Sequence, residues 1–232
     1  MNNLSLIWEK IEANETVLVN NLLNLSEIHN LGYDNLEDFL AVLKQLNSLP
    51  RSDSEKFIAV DLDDCLYSRQ NSLQNSLLSE NRWEAWNRVI ETHMWWFKKY
   101  TFDHYNPSWS VKQMVDILLK SKNSCILTAW KKYFQYEKLN RIWIDDSIPV
   151  SVVNSTSEKP KKLLEFIIFE LGFIPGEIDI YDDRVEHFHK CGPVLSKILQ
   201  SSINIHETIL CQNKTDGFHK INKSRFQLDL LH

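Results

Sequence analysis

The chain has 232 residues, which is enough for one ordinary domain with an appendage or for two small domains. Its 43% hydrophobic and 25% charged residues are typical of a soluble globular protein and exclude an intrinsically disordered chain. The formal net charge of −5, from 26 Lys plus Arg against 31 Asp plus Glu, excludes a general attraction to nucleic acid or anionic lipid, so any such contact would be local.

The sequence carries no signal for a membrane or for an oxidising compartment. The N-terminus lacks a positively charged start followed by an apolar run, and no apolar segment reaches the ~18 residues that span a bilayer. The four cysteines are far apart and form no CxxC pair, so we expect buried free thiols. These observations predict a cytoplasmic protein without membrane contact.

In the first half of the chain the pattern is mainly helical. Residues 1–55 are predicted to be an N-terminal helical segment that ends in a polar connector at 49–56. The run FIAVDL at 57–62 has the profile of a buried parallel strand. Residues 71–121 are predicted to form a helical, aromatic-rich insert. Its tryptophans include Trp83, Trp86, Trp95 and Trp96.

In the second half strands alternate with helices. Predicted strands lie at 124–129, 148–153, 177–183 and 204–210, and predicted helices lie near 131–141, 160–172 and 192–201. Pro160 and Gly172 mark the start and the end of the second of these helices. This alternation predicts an α/β fold with a doubly wound parallel sheet, whose core takes in residues 56–70 and 122–210. Residues 211–232 are predicted to be a polar tail.

Acidic side chains follow the predicted strands. Asp61 and Asp63 come after the first strand, and Asp182 and Asp183 end a later one. Because ligands bind beyond the carboxyl ends of parallel strands, we expect these carboxylates to share one crevice. Like charges in one crevice repel, so positive partners are needed. Mg²⁺ and a lysine from the cluster Lys159, Lys161 and Lys162 would supply them.

These residues resemble the four motifs of the haloacid dehalogenase (HAD) superfamily. VDLDDCLY is similar to its first motif, Thr128 in ILTA to the second, Lys159-Pro160 to the third and Asp182-Asp183 to the fourth. The resemblance covers roughly residues 57–190. It implies a Rossmann-like core in which the helical insert is a cap over the site.

A closer likeness is to the HAD domain of Swiss Army Knife RNA repair proteins. The segment YDDRVEH, Tyr181 through His187, is similar to the fourth motif of that subgroup, and Trp95-Trp96 is similar to its Trp-Trp pair. The second motif departs from the subgroup, because Ala129 and Trp130 stand where Gly and Arg are usual. The likeness implies RNA or a nucleotide end as the phosphorylated substrate.

The resemblance also implies a role for each motif residue. Asp61 would be the nucleophile that forms an aspartyl-phosphate, and Asp63 would be the general acid and base. Thr128 would hydrogen-bond a phosphoryl oxygen, and Lys159 would neutralise charge on the transferring phosphoryl group, with Lys161 as the alternative lysine. The Mg²⁺ ligands would be Asp61, the backbone carbonyl of Asp63 and a carboxylate of motif four, with Asp183 favoured over Asp182. Further substrate contacts would come from Ala129, Trp130, Lys161 and Arg184.

Other interpretations stay open. The chain could be a catalytically inactive HAD-fold module that binds a phosphorylated or nucleic-acid partner, or a phosphotransferase that uses an alcohol as acceptor. Asp145-Asp146 resembles motif four, but it precedes the lysine-bearing helix, so we interpret it as a solvated turn. Arg184 and His187 could orient the acids, contact substrate or have a purely structural role. The tryptophans of the insert could fill its own core or stack on a nucleobase.

Overall fold

A six-stranded sheet organises the part of the chain that the structure describes. The structure is a computed structural model, and it describes residues 25–67, 112–142, 144, 147–211 and 218–227. The strands are β1 (Arg51–Val60), β2 (Ser124–Ala129), β3 (Val150–Val153), β4 (Ile174–Asp182), β5 (Ser202–Cys211) and β6 (Phe218–Phe226). They lie in the order β3-β2-β1-β4-β5-β6. Strands β1 to β5 pair in parallel, and β6 pairs antiparallel with β5.

Helices cover both faces of this sheet. Within the described ranges they are α1 (Leu25–Asn30), α2 (Leu36–Ser48), α3 (Lys112–Lys120), α4 (Lys132–Ile142), α5 (Lys159–Phe166) and α6 (Glu186–Leu199). Side chains alternate along β1: Phe57 belongs to one buried cluster, with residues of α1, α2, α5 and α6. Ile58 belongs to a second cluster, with residues of α3 and α4. The prediction of a mostly parallel α/β sheet with helices on both faces is therefore confirmed.

The N-terminal helices α1 and α2 belong to the first cluster. Ile28, Phe39 and Leu46 are buried there beside residues of the sheet, and Asn35 caps α2 by accepting a hydrogen bond from the Asp38 backbone N–H. The predicted connector at 49–56 is wrong over most of its length, because β1 already begins at Arg51. The polar residues of this segment form a strand because they pair with the first residues of β4.

The predicted polar tail is also corrected. Residues 218–226 form β6, which pairs with β5 over nine residues from Ile203–Phe226 to Cys211–Phe218. Its sequence FHKINKSRF is polar because it is an edge strand, where charged side chains are common. The basic residues of this segment therefore belong to a sheet edge.

The second half of the prediction agrees well with the structure. Strand β2 has the predicted bounds, and the predicted helix at 160–172 is α5, which begins at Lys159 and continues as a π-helical turn, Ile167–Leu171. Gly172 ends it with φ of 73°, a left-handed conformation that favours glycine. Helix α6 begins at Glu186, earlier than the predicted start near residue 192, and Pro193 lies inside it.

Most of the predicted insert lies outside the described residues. This applies to Trp83, Trp86, Trp95 and Trp96 and also to the alternative acid pair Asp145-Asp146. The last part of the insert is described as α3, whose Met114 and Leu118 pack in the second cluster beneath β1. None of the helices in the described ranges combines the length and the apolar character needed to cross a membrane.

Candidate metal and phosphate site

The candidate site lies where β1 and β4 end side by side. These strands are the central pair of the sheet, and the chain continues from them toward opposite edges, to β2 and β3 on one side and to β5 on the other. Such a reversal of strand order opens a crevice at the carboxyl ends of the strands. The backbone N–H of Asp61 donates to the Tyr181 carbonyl at 2.8 Å, which fixes Asp61 beside the end of β4.

Lys159 joins the acids of the two strands. Its Nζ lies 3.0 Å from Oδ1 of Asp61 and 2.6 Å from Oδ2 of Asp182, and its side chain is only 2% exposed. Lys159 reaches the crevice because it is the first residue of α5, at the helix end that faces the carboxyl edge of the sheet. Burial alone would lower the pKa of Lys159, but Asp182 and Asp61 outweigh it and raise that pKa.

Three acids lie close together around this lysine. Asp61, Asp182 and Asp183 each place one carboxylate oxygen within 4.8 Å of the others. Burial, with the nearby Asp61 charge, raises the pKa of Asp182 to about 6, although Lys159 and the Arg184 backbone N–H act in the opposite direction. Three carboxylates this close together repel one another, and a divalent cation with a preference for oxygen ligands would reduce that repulsion.

Both carboxylate oxygens of Asp182 accept hydrogen bonds from neighbouring groups. Asp182 accepts from Lys159 through Oδ2 and from the Arg184 backbone N–H through Oδ1 at 2.8 Å, so both of its oxygens are engaged. Asp183 is half-buried at the same cluster. Asp182 is therefore the acid that holds Lys159, and Asp61 and Asp183 are the other two acids of the cluster.

Thr128 lies on β2, the strand next to β1, and its hydroxyl group has no hydrogen-bond partner in the described part of the chain. The residue is 1% exposed near the end of β2. A buried hydroxyl group without a partner costs free energy, on the order of 1–3 kcal/mol. A bound phosphoryl oxygen could satisfy it, so Thr128 fits the role that the sequence predicts.

Asp63 lies apart from the Lys159 cluster. Its carboxylate contacts Lys138, whose Nζ is 2.6 Å from Oδ1 and 2.9 Å from Oδ2, and it also accepts from Nε2 of Gln135 at 3.2 Å. Sequence reasoning missed Lys138 and Gln135. Their spacing of three residues places them on one face of a helix, which is the only signal the sequence offered.

Ala129 and Trp130, two of the predicted substrate contacts, lie at the end of β2. Ala129 is the last residue of β2, and its carbonyl accepts from the Gln135 side chain. Trp130 has φ of 113°, a left-handed conformation that favours glycine, and its N–H donates to Val153 O at 2.8 Å. Its ring stacks on Phe134 with centroids 5.1 Å apart. The Trp130 ring also lies beside Lys138, the lysine that contacts Asp63.

Three further candidates make no side-chain contact with the acid cluster in the described part of the chain. Lys161 lies over the Tyr33 ring, 5.0 Å from its centroid, and lines a cleft of about 630 Å³ beside α1 and α5. The Arg184 side chain is exposed, and the observed contribution of this residue is its backbone N–H to Asp182. His187 is hydrogen-bonded to Thr156 at 2.8 Å, and burial together with Lys190 lowers its pKa.

Cys65 is buried close to the acids. It is fully buried, with Sγ 2.7 Å from Thr208 Oγ1. Burial and the charges of Asp61, Asp182 and Asp183 all raise the pKa of this thiol. The thiol is therefore a neutral packing group under the site.

No family model, curated protein or solved structure gives a significant match to this chain. What the fold and the site define is a class: an α/β protein with a six-stranded, mostly parallel sheet in the part of the chain described. At the carboxyl edge of that sheet three acids and a buried lysine lie together, and a buried threonine lies near the end of the adjacent strand β2.

Proposed function

We propose that this protein is a Mg²⁺-dependent phosphomonoester hydrolase of the HAD type that works through an aspartyl-phosphate on Asp61. The observation that carries the proposal is the buried Lys159, which contacts Asp61 and Asp182 at the carboxyl ends of two adjacent parallel strands. The three carboxylates gathered beside this lysine, and the Thr128 hydroxyl group that has no hydrogen-bond partner in the described part of the chain, support a site for a cation and a phosphoryl group.

The proposed reaction has two steps. In the first, a carboxylate oxygen of Asp61 forms a bond to phosphorus while the bond from phosphorus to the alcohol oxygen breaks, and Asp63 gives that oxygen a proton. In the second, Asp63 takes a proton from water, whose oxygen attacks phosphorus and releases inorganic phosphate and free Asp61. Lys159 and Thr128 would stabilise the negative phosphoryl oxygens in both steps.

Asp61 and Asp183 would hold Mg²⁺, together with the backbone carbonyl of Asp63. When bound, the ion would offset the repulsion between the Asp61 carboxylate and the phosphate dianion. Asp182 would keep the Lys159 ammonium group in place, because its two oxygens accept from Lys159 and from the Arg184 backbone N–H.

The substrate class is proposed from the resemblance alone. A likeness to RNA repair proteins suggests an RNA or nucleotide end, whose base could stack on an aromatic side chain. Fold does not determine substrate, so this part of the proposal depends on direct measurement. A cytoplasmic location would agree with the buried free thiols of Cys65, Cys125 and Cys191.

Hydrolysis of an aryl phosphate tests the function. We expect Mg²⁺-dependent release of inorganic phosphate that is abolished by EDTA and reduced at least ~1000-fold by Asp61→Asn, which removes the nucleophile. The matched control is Glu170→Gln, which changes the charge of an exposed acid near the end of the π-helical turn after α5. Full turnover by Asp61→Asn would refute the mechanism.

The same assay separates the alternatives. Binding of a phosphorylated ligand without turnover by the wild-type chain would favour an inactive binding module. Transfer of the phosphoryl group to an added alcohol in place of water would indicate a phosphotransferase.

A further inference from the structure

Two side chains of α4 hold the carboxylate of Asp63, and the proposed chemistry leaves them without a role. Lys138 contacts both carboxylate oxygens at 2.6 and 2.9 Å, and Gln135 donates to Oδ2 at 3.2 Å. A carboxylate that accepts from two groups on one helix has little freedom to rotate. The orientation of Asp63 is therefore set by α4.

Lys138 is enclosed to an unusual degree for a lysine. Its side chain is 2% exposed, against 15% for Asp63, and its Nζ lies 5.5 Å from the Trp130 ring centroid and 5.8 Å from that of Tyr67. Burying an ammonium group costs several kcal/mol unless charged or electron-rich groups compensate. The ion pair with Asp63 and the two ring faces supply that compensation.

Gln135 connects this arrangement to the sheet. It is fully buried, and its Nε2 donates to the Ala129 carbonyl as well as to Asp63. Ala129 ends β2, one residue after Thr128. One side chain thus joins α4, the end of β2 and Asp63, so the relative positions of the proposed phosphate contact and the proposed acid depend on it.

We propose that Lys138 is a positioning residue that, with Gln135 as its support, orients the Asp63 carboxyl group so that, in its protonated form, it can donate its proton to the leaving-group oxygen of the substrate. This inference rests on the proposed phosphatase function. General acid catalysis requires the acid within about 2.6–3.2 Å of the atom that it protonates. Without Lys138 the Asp63 side chain would rotate, and proton delivery to the leaving group would become slow.

The consequence depends on the leaving group. An alkoxide leaves slowly unless it is protonated, whereas a nitrophenolate leaves without a proton. If the Asp63 carboxyl group is no longer held in the right orientation, hydrolysis of an alkyl phosphate should therefore slow much more than hydrolysis of a nitrophenyl phosphate. A defect in packing would slow both equally, so the ratio of the two rates separates the explanations.

The test compares Lys138→Met with Lys132→Met, the same replacement at an exposed position of the same helix. The measured quantity is kcat/KM, which reports only the steps up to formation of the phosphoenzyme. For Lys138→Met we expect a loss of roughly 10- to 100-fold with the alkyl phosphate and less than about threefold with the nitrophenyl phosphate. Lys132→Met should leave both values unchanged. Equal losses on the two substrates would overturn the inference.

A double-mutant cycle makes the test independent of the stability of Lys138→Met. Because Lys138 acts through Asp63, adding Lys138→Met to Asp63→Asn should produce no further loss on the alkyl phosphate. A further loss of tenfold or more would refute a positioning role. This comparison also applies if Lys138→Met alone does not fold, since the double variant removes both charges of the buried pair.

Failure of the proposed function gives a different result. If the wild-type chain does not hydrolyse the nitrophenyl phosphate in an Asp61-dependent manner, the proposed function is refuted and this inference with it. If that activity is present but Lys138→Met affects both substrates equally, only the role of Lys138 is refuted.

Discussion

Replacing Lys159 by Met should destabilise the metal-free protein strongly. Lys159 is buried between Asp61 and Asp182, with its Nζ 3.0 and 2.6 Å from their carboxylate oxygens. Removing one partner of a buried ion pair costs about 3–5 kcal/mol. In a domain of this size each kcal/mol corresponds to ~2–4 °C in Tm, so the expected decrease is roughly 6–20 °C.

Lys161→Met is the matched control for this measurement. Lys161 lies in the same helix, but its ammonium group contacts the Tyr33 ring and no acid of the cluster. A cation–π contact of this kind contributes about 0.5–1 kcal/mol, so the control should unfold within about 1 kcal/mol of wild type. The comparison also decides which of the two lysines belongs to the site.

Urea unfolding in EDTA at pH 8 is the assay. In the wild-type chain this pH lies above the raised pKa of Asp182, about 6, so the Asp182 carboxyl group is ionised. Added Mg²⁺ should then raise the stability of Lys159→Met more than that of Lys161→Met, because the first variant has one more uncompensated charge. Equal stability of the two variants in EDTA would refute the description of a buried, charge-compensating lysine.

Three further predictions concern stability and use the same unfolding assay. Burial raises the pKa of Asp179, but hydrogen bonds from His206 and two other side chains outweigh it and lower that pKa to about 2. The contribution of Asp179 to stability is therefore present above about pH 4 and is lost as the pH falls toward 2. The free energies of unfolding of wild type and Asp179→Asn should converge by about 2 kcal/mol over that range, and a constant difference between them would contradict this. Trp130→Gly should be more stable than Trp130→Ala by about 1 kcal/mol, because only Gly relieves a φ of 113°, and the opposite order would show an unstrained backbone. Gly176→Ala should cost about 1–3 kcal/mol, since its Cβ would collide with the backbone of Asp53, and an unchanged stability would show that this part of β1 can move aside.

The apolar elements of the fold could be predicted from local sequence. Strand β2 centres on the apolar residues 125–127, and its predicted bounds are those of the structure. Pro160 and Gly172 marked the helix that carries Lys159, because their backbone preferences act within a few residues. Local signals of this kind do not depend on the rest of the chain.

The polar strands could not be predicted in the same way. The first residues of β1, from Arg51 to Lys56, and all of β6 lack an apolar run, and what makes them strands is pairing with distant segments. Strand formation of that kind depends on tertiary context more than on intrinsic preference. The sequence therefore placed a connector at 49–56 and a tail at 211–232 where the sheet continues.

The candidate site was predictable to the extent that it follows the strand ends. Asp61, Thr128 and Asp182 come together because parallel strands share a carboxyl edge, which is a property of the fold class. Lys138 was not predictable, because its contact with Asp63 depends on the rotation and position of α4 over the sheet. The placement of Lys161 away from the acids follows in the same way from the rotation of α5.

Chemical trapping of the proposed intermediate tests the central claim most directly. The wild-type protein is mixed with Mg²⁺ and an aryl phosphate and quenched with borohydride, which reduces an acyl phosphate to an alcohol. Peptide mass spectrometry then locates the reduced residue. We expect reduction at Asp61, only with both Mg²⁺ and substrate present and not in Asp61→Asn. Reduction at a different residue, or turnover without any trapped residue, would contradict the assignment of Asp61 as the nucleophile.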